Sequence, residues 1–309
     1  MFQLFALVIA VFTGIVFLPS AYALEAPVAV SVEEEEWYPP SVGPLTTWTA
    51  PFVEPGKLLI QPFVFYNRTR GTFDADGHYN KLPKGDRQSQ YQEQLFVEYG
   101  ITDNLELSGQ VVYQQNMVKN EEGKAHARGF GDSYLYLRYL LNAESKLLPD
   151  IVGMLQVKAP TGKYQHLDSA KLGTDSMGTG SWDPGIGFIM TKRIKPFILH
   201  ADAVYSFPQK VQIDGVNTRY ADYLCYDLGV EYFLPKGFNL MFELNGYLQA
   251  DTKQDGEMIP SSNTEYLTLA PGIGWSCDKL QFLLAYQRVI SGINTDANDS
   301  VVLTGAYTF

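Results

Sequence analysis

From Lys57 to its last residue the chain alternates apolar and polar residues with a period of two, in runs of about ten to twelve residues. LELSGQVVYQQ (105–115) puts Leu105, Leu107, Val111 and Tyr113 on one side, with Glu106, Ser108, Gln110 and Gln114 on the other. NLMFELNGYLQ (239–249) sets Leu240, Phe242, Leu244 and Leu248 against Asn239, Glu243, Asn245 and Gln249. Successive side chains of a strand point to opposite faces, so each run is a strand with one apolar and one polar face.

Strands of this kind are expected near 57–67, 89–100, 105–116, 131–142, 150–160, 180–191, 196–207, 220–233, 238–249, 264–275, 280–290 and 299–309. Their connections alternate in length. Short ones are TDN (102–104), the stretch around Lys146 to Pro149, RIKP (193–196), PKG (235–237) and CDK (277–279). Long ones are 68–88, 117–130, 161–179, 208–219, 250–263 and 291–298, rich in Gly, Asp, Asn, Lys and Ser. Long and short in strict turn is the layout of an outer-membrane barrel. The expected fold class is therefore all-β: a transmembrane antiparallel β-barrel of about 12 strands with up-and-down topology.

A soluble β-sandwich also alternates, so the position of the aromatics decides. Tyr99, Tyr113, Tyr139, Tyr226, Tyr232, Trp275, Tyr286 and the terminal Phe309 sit on the apolar face, most of them near strand ends. That is where membrane-interface girdles form. The final strand, SVVLTGAYTF (300–309), ends on Phe309 in the lipid-facing row, a closing strand of the kind the barrel-assembly machinery engages.

Three segments follow: 1–23 as a signal peptide, 24–56 as an acidic, proline-containing periplasmic lead-in or plug, and 57–309 as the barrel. The leader has an apolar core followed by Pro19 and Ala21-Tyr22-Ala23, and lacks the usual basic start. Export places the barrel in the outer membrane of a Gram-negative cell. The lead-in carries Glu33 to Glu36 and a Trp-Tyr-Pro-Pro run. Charged residues make up only 18% of the chain, and its net charge of −11 excludes nucleic acid as a partner. Cys225 and Cys277 fall at opposite ends of their strands, so both are expected as free thiols.

The polar rows face the lumen. Glu98, Glu106, Asp183, Asp202, Asp227, Glu231 and Glu243 would line it with Arg138, Lys158 and His200, beside Tyr134 and Tyr136. Ionisable side chains inside a barrel line a watery path or pair into a plug. The carboxylate excess would favour cations if the path were open. Catalysis is not expected: none of His78, His126, His166 and His200 has a serine in a recognisable arrangement, and no G-x-S-x-G occurs. His200 and Asp202 share a face, but two ligands make no metal site. DADGH (74–78) lacks the later ligands of a calcium loop and is expected as a solvated tip. No cofactor is expected.

GFGD (129–132), APTGKY (159–164), GTGSWDPGIG (178–187) and the Pro55-Gly56-Lys57 start resemble, in order and spacing, the MetA-like family of outer-membrane proteins linked to the meta pathway of phenol degradation. The resemblance runs from about Gly43 to Phe309. Asp132 and Asp183 are expected to cap loop amides. What the resemblance implies is passage or binding of small hydrophobic or aromatic compounds at the outer membrane; a channel of this kind is expected to work passively. The competing reading is a structural or surface-exposed protein with a blocked lumen; a phospholipase-like enzyme ranks below both.

Overall fold

The computed structural model describes residues 37–41 and 43–309. The expected signal peptide and the acidic run lie outside the described residues.

Twelve long strands form one closed antiparallel sheet. They are β1 (Leu58–Phe73), β2 (Arg87–Thr102), β3 (Leu105–Asn120), β4 (Ser133–Asn142), β5 (Asp150–Ala159), β6 (Asp183–Ile194), β7 (Phe197–Ser206), β8 (Tyr223–Phe233), β9 (Phe238–Gln249), β10 (Thr264–Cys277), β11 (Leu280–Ile293) and β12 (Thr295–Thr308). Each pairs with its neighbour in sequence, and β12 pairs back onto β1 from Leu59↔Thr308 to Phe73↔Thr295. Closure leaves no sheet edge with unpaired amides, which hydrocarbon requires.

The burial pattern is inverted relative to a soluble protein. Leu155, Phe188 and Leu303 are 56%, 54% and 53% exposed, while Glu106, Glu231 and Glu243 are 0% exposed. The expected girdle residues face outward at two levels: Tyr99, Tyr139, Tyr232, Trp275 and Phe309 near the short turns, and Tyr113, Tyr226 and Tyr286 toward the long loops. Both cysteines are free.

The strand boundaries differ from expectation where the sheet rises past the apolar belt. Residues 291–298, expected as a loop, are strand except for the Asn294 turn, which has φ 48°. Their register with Thr69–Phe73 of β1 satisfies the backbone, and beyond the hydrocarbon no apolar outer row is needed to hold a strand. Residues 117–130 likewise form a hairpin, with Gly123–Phe130 paired to β3. Short strands Val211–Ile213, Val216–Arg219, Lys253–Gln254 and Glu257–Met258 join two outer loops in a separate four-stranded sheet.

Candidate functional site

Residues 37–41 and 43–53 form a strap that enters at the short-turn end and passes through the barrel. At the short-turn end Trp37 packs edge-on against Phe233, and the Arg193 guanidinium lies 4.5 Å from the Tyr38 ring centre. The strap then crosses the lumen, and inward carboxylates receive its backbone. Glu243 accepts the N–H groups of Leu45, Thr46 and Thr47 at 2.6, 2.9 and 2.9 Å, and the Thr47 hydroxyl at 2.9 Å. Asp202 accepts Trp48 N–H at 2.8 Å, and Glu106 accepts Val53 N–H at 2.9 Å. Arg138, ion-paired to Glu106 and Glu98, donates to the Thr49 carbonyl at 2.8 Å. An irregular segment buried against the barrel wall has no strand partner for its amides, and charged acceptors give the stronger bonds.

The strap also fills space. Leu45 joins an inner cluster with Phe63, Met241 and Leu283, and Ala50 joins a second with Val152, Met154 and Ile189. Its exit fixes Gly100: a Cβ there would lie 2.3 Å from the Val53 carbonyl oxygen, so any side chain would push the strap off the wall.

Ala50 N–H donates to Thr191 Oγ1 at 2.9 Å; that hydroxyl is 3.0 Å from His200 Nδ1, and His200 Nε2 is 3.0 Å from Glu231. The order hydroxyl, imidazole, carboxylate matches a hydrolase triad, but all three groups are buried and the hydroxyl accepts a strap amide. Glu231 also receives the Ser41 hydroxyl and Asn239. This group positions the strap.

Above the strap is a chamber of about 720 Å³, roofed by Met177, Gly178 and Thr179 of the loop after β5. Of the expected lining residues, Glu98, Tyr134, Tyr136, Arg138, Lys158, Asp202 and Asp227 border it, whereas Glu106, Asp183, His200, Glu231 and Glu243 do not. The carboxylate excess is therefore largely not a free cation path. Most of it holds the strap or pairs with Arg138 and Lys158, a correction to the reading of the row as a set.

The roof rests on the GFGD, APTGKY and GTGSWDPGIG residues. Asp132 accepts Gly162 N–H at 3.1 Å and Thr179 N–H at 3.0 Å, as a loop cap should. Gly178 sits so close that a Cβ would lie 2.2 Å from Asp132 Oδ1. Asp183 does not cap amides. It accepts the Ser181 hydroxyl at 2.6 Å and the Tyr223 hydroxyl at 3.3 Å, and pairs with Lys158 at 2.5 Å, because its strand position turns it into the lumen.

The chamber has two kinds of surface. Trp48 packs on Tyr136 with ring centres 4.8 Å apart and on Phe96 at 5.6 Å; Tyr134 stacks on Tyr136 at 5.9 Å. Across the lumen Tyr223, Tyr247 and Tyr266 form a ladder with spacings of 5.4 and 5.1 Å. Side-chain amides of Gln92, Gln94, Gln110 and Gln114 supply donors and acceptors between these faces. Sequence reasoning missed Trp48 and the tyrosine ladder. The period-two row marks Tyr223, Tyr247 and Tyr266 as inward, but nothing local places Trp48 beside Tyr136.

At the outer surface, Asp74 Oδ1 accepts the amides of Asp76 and His78 at 3.0 and 2.9 Å, so this carboxylate closes the loop tip.

The sequence profile of the family described as "Putative MetA-pathway of phenol degradation" matches residues 90–303, leaving the strap and β1 outside the match. The chain belongs to that family. No curated protein matches it. Among solved structures, this family member is similar to the COG4313 outer membrane channel from Pseudomonas putida F1, at 16% identity and a TM-score of 0.69, over 84% of this chain and 98% of that one. It is also similar to the NanC porin, at 8% identity and a TM-score of 0.51, over 80% and 98%. At such identities the likeness is one of fold, and the fold is that of outer-membrane channels and porins.

Proposed function

We propose that the protein is a passive outer-membrane channel for small apolar or aromatic solutes, closed on its periplasmic side by the strap. The observation that carries this reading is the chamber itself: aromatic faces and glutamine amides around about 720 Å³, within the range of small-molecule sites. A flat ring would stack between Trp48 or Tyr136 and the tyrosine ladder, while the glutamines would take a single polar substituent. A smaller cavity of about 250 Å³ shares Tyr266, Thr268 and Gln287 with the chamber and reaches Asn298 and Ser300 of β12, and a solute would enter from outside along it. The apolar belt would contact lipid, and the strand ending at Phe309 would engage the assembly machinery. Flux through such a channel would follow the gradient.

The test is uptake of a labelled monoaromatic at low external concentration by otherwise identical cells with and without the protein. Several-fold faster uptake with the protein is expected, and equal rates would sink the reading. The strap's anchoring favours one competing reading, a barrel whose lumen stays shut and whose outer loops carry the role. A purified barrel that stays silent in planar bilayers, together with equal uptake, would support it.

A further inference from the structure

We propose that the chamber is a binding site for a primary ammonium group on an aromatic body, held by Asp202 and Asp227 at the level of Asn245. This deepens the channel reading and rests on it for access to the chamber. Asp202, Asp227, Asn245 and Thr268 stand side by side on β7, β8, β9 and β10, in direct register (Asp227↔Asp202, Asp227↔Asn245, Asn245↔Thr268). All four border the chamber.

The interior cations are committed elsewhere: Arg138 pairs with Glu98 and Glu106, Lys158 with Asp132 and Asp183, and His200 with Glu231. Among the described residues, no basic group pairs with Asp202 or Asp227. Asp202 is 6% exposed; its Oδ2 holds the Trp48 amide, while its Oδ1 has no hydrogen-bond partner. Two carboxylates directly opposite on neighbouring strands repel each other, and a buried oxygen without a donor is costly. One ligand with a positive charge and several N–H donors would relieve both.

The ligand's remaining chemistry follows from what surrounds the acids. Trp48, Tyr136 and Tyr266 border the same space and offer ring faces to a cation or to an attached ring. A metal ion fits less well. Among the described residues, three His, Cys, Asp or Glu ligands come close enough to share an ion at Asp74, Asp76 and His78 on the surface, and no third ligand of those types joins the Asp202–Asp227 pair. Asp296 borders the smaller cavity beside the chamber and would be a further carboxylate on a route from the outer side.

The experiment is titration calorimetry on the full-length protein in detergent, with benzylammonium, its neutral counterpart benzyl alcohol and calcium chloride as probes. Asp227→Asn keeps the shape and removes one charge without touching the strap. A heat-modifiability gel checks that the variant barrel is folded, and Asp227→Glu serves as a charge-retaining second variant. Saturable one-to-one binding of benzylammonium is expected, weakened about tenfold or more in Asp227→Asn and largely kept in Asp227→Glu. Benzyl alcohol should bind more weakly and equally to both proteins. Binding of the alcohol as tight as that of the amine, an unchanged Asp227→Asn affinity, absence of amine binding, or calcium displacing the amine would each overturn the proposal. Uptake of a neutral monoaromatic would be unaffected by any of these results, so failure here is distinct from failure of the channel.

Discussion

Glu243 is the residue on which the strap depends most. One fully buried carboxylate takes three consecutive backbone amides and a hydroxyl. Replacing it with alanine leaves those amides without an acceptor, at a cost of about 1–3 kcal/mol each. Glu243→Ala is expected to leave the barrel folded and to speed hydrogen exchange of residues 45–47 by roughly 100-fold, read by mass spectrometry. The same variant should conduct more than the native protein in planar bilayers. Unchanged exchange together with unchanged conductance would mean that the strap is held by packing alone. Gly100 is the matching position at the exit: Gly100→Val should destabilise the strap because its Cβ meets the Val53 carbonyl, and the same exchange measurement at residues 50–54 reads it.

Among the elements, the loop between β5 and β6 is the chamber's roof, and its outer part is tied by an ion pair. The Lys163 ammonium, 2.5 Å from Asp175, holds that carboxyl below the ordinary aspartate range, helped by the Asp168 amide. A carboxylate lowered in the folded state stabilises the loop fully above the ordinary aspartate value, and that contribution is lost as pH falls through the lowered one. Protease cleavage near Lys171 is therefore expected to be constant from neutral pH to about 5 and to rise only in more acid solution, read with an acid-tolerant protease. Asp175→Asn should show the acid level of cleavage at neutral pH.

At the scale of the whole molecule, the barrel is built inside out, and its tolerance to charge should follow. Leu303 is 53% exposed at the middle of the membrane-crossing part of β12. Leu303→Arg is expected to cost about 2–4 kcal/mol of barrel stability, measured by urea titration in lipid vesicles. Charge at an outer-loop position such as Val216, beyond the apolar belt, should cost far less.

The sequence by itself determined the twelve strands, the alternating short and long connections, the outward apolar row and the inward set from Glu98 to Glu243. Each of these is a local pattern, since a strand's two faces are written in neighbouring residues. Residues 291–298 escaped that logic because a strand above the membrane needs no apolar row. Only the tertiary structure decided what the inward carboxylates face. Glu243 meets Leu45 across 198 residues of chain and Asp202 meets Trp48 across 154, so no local period could pair them. Closing the barrel placed these acids around one lumen, where they accept the strap's backbone amides at Leu45, Thr46, Thr47, Trp48 and Val53.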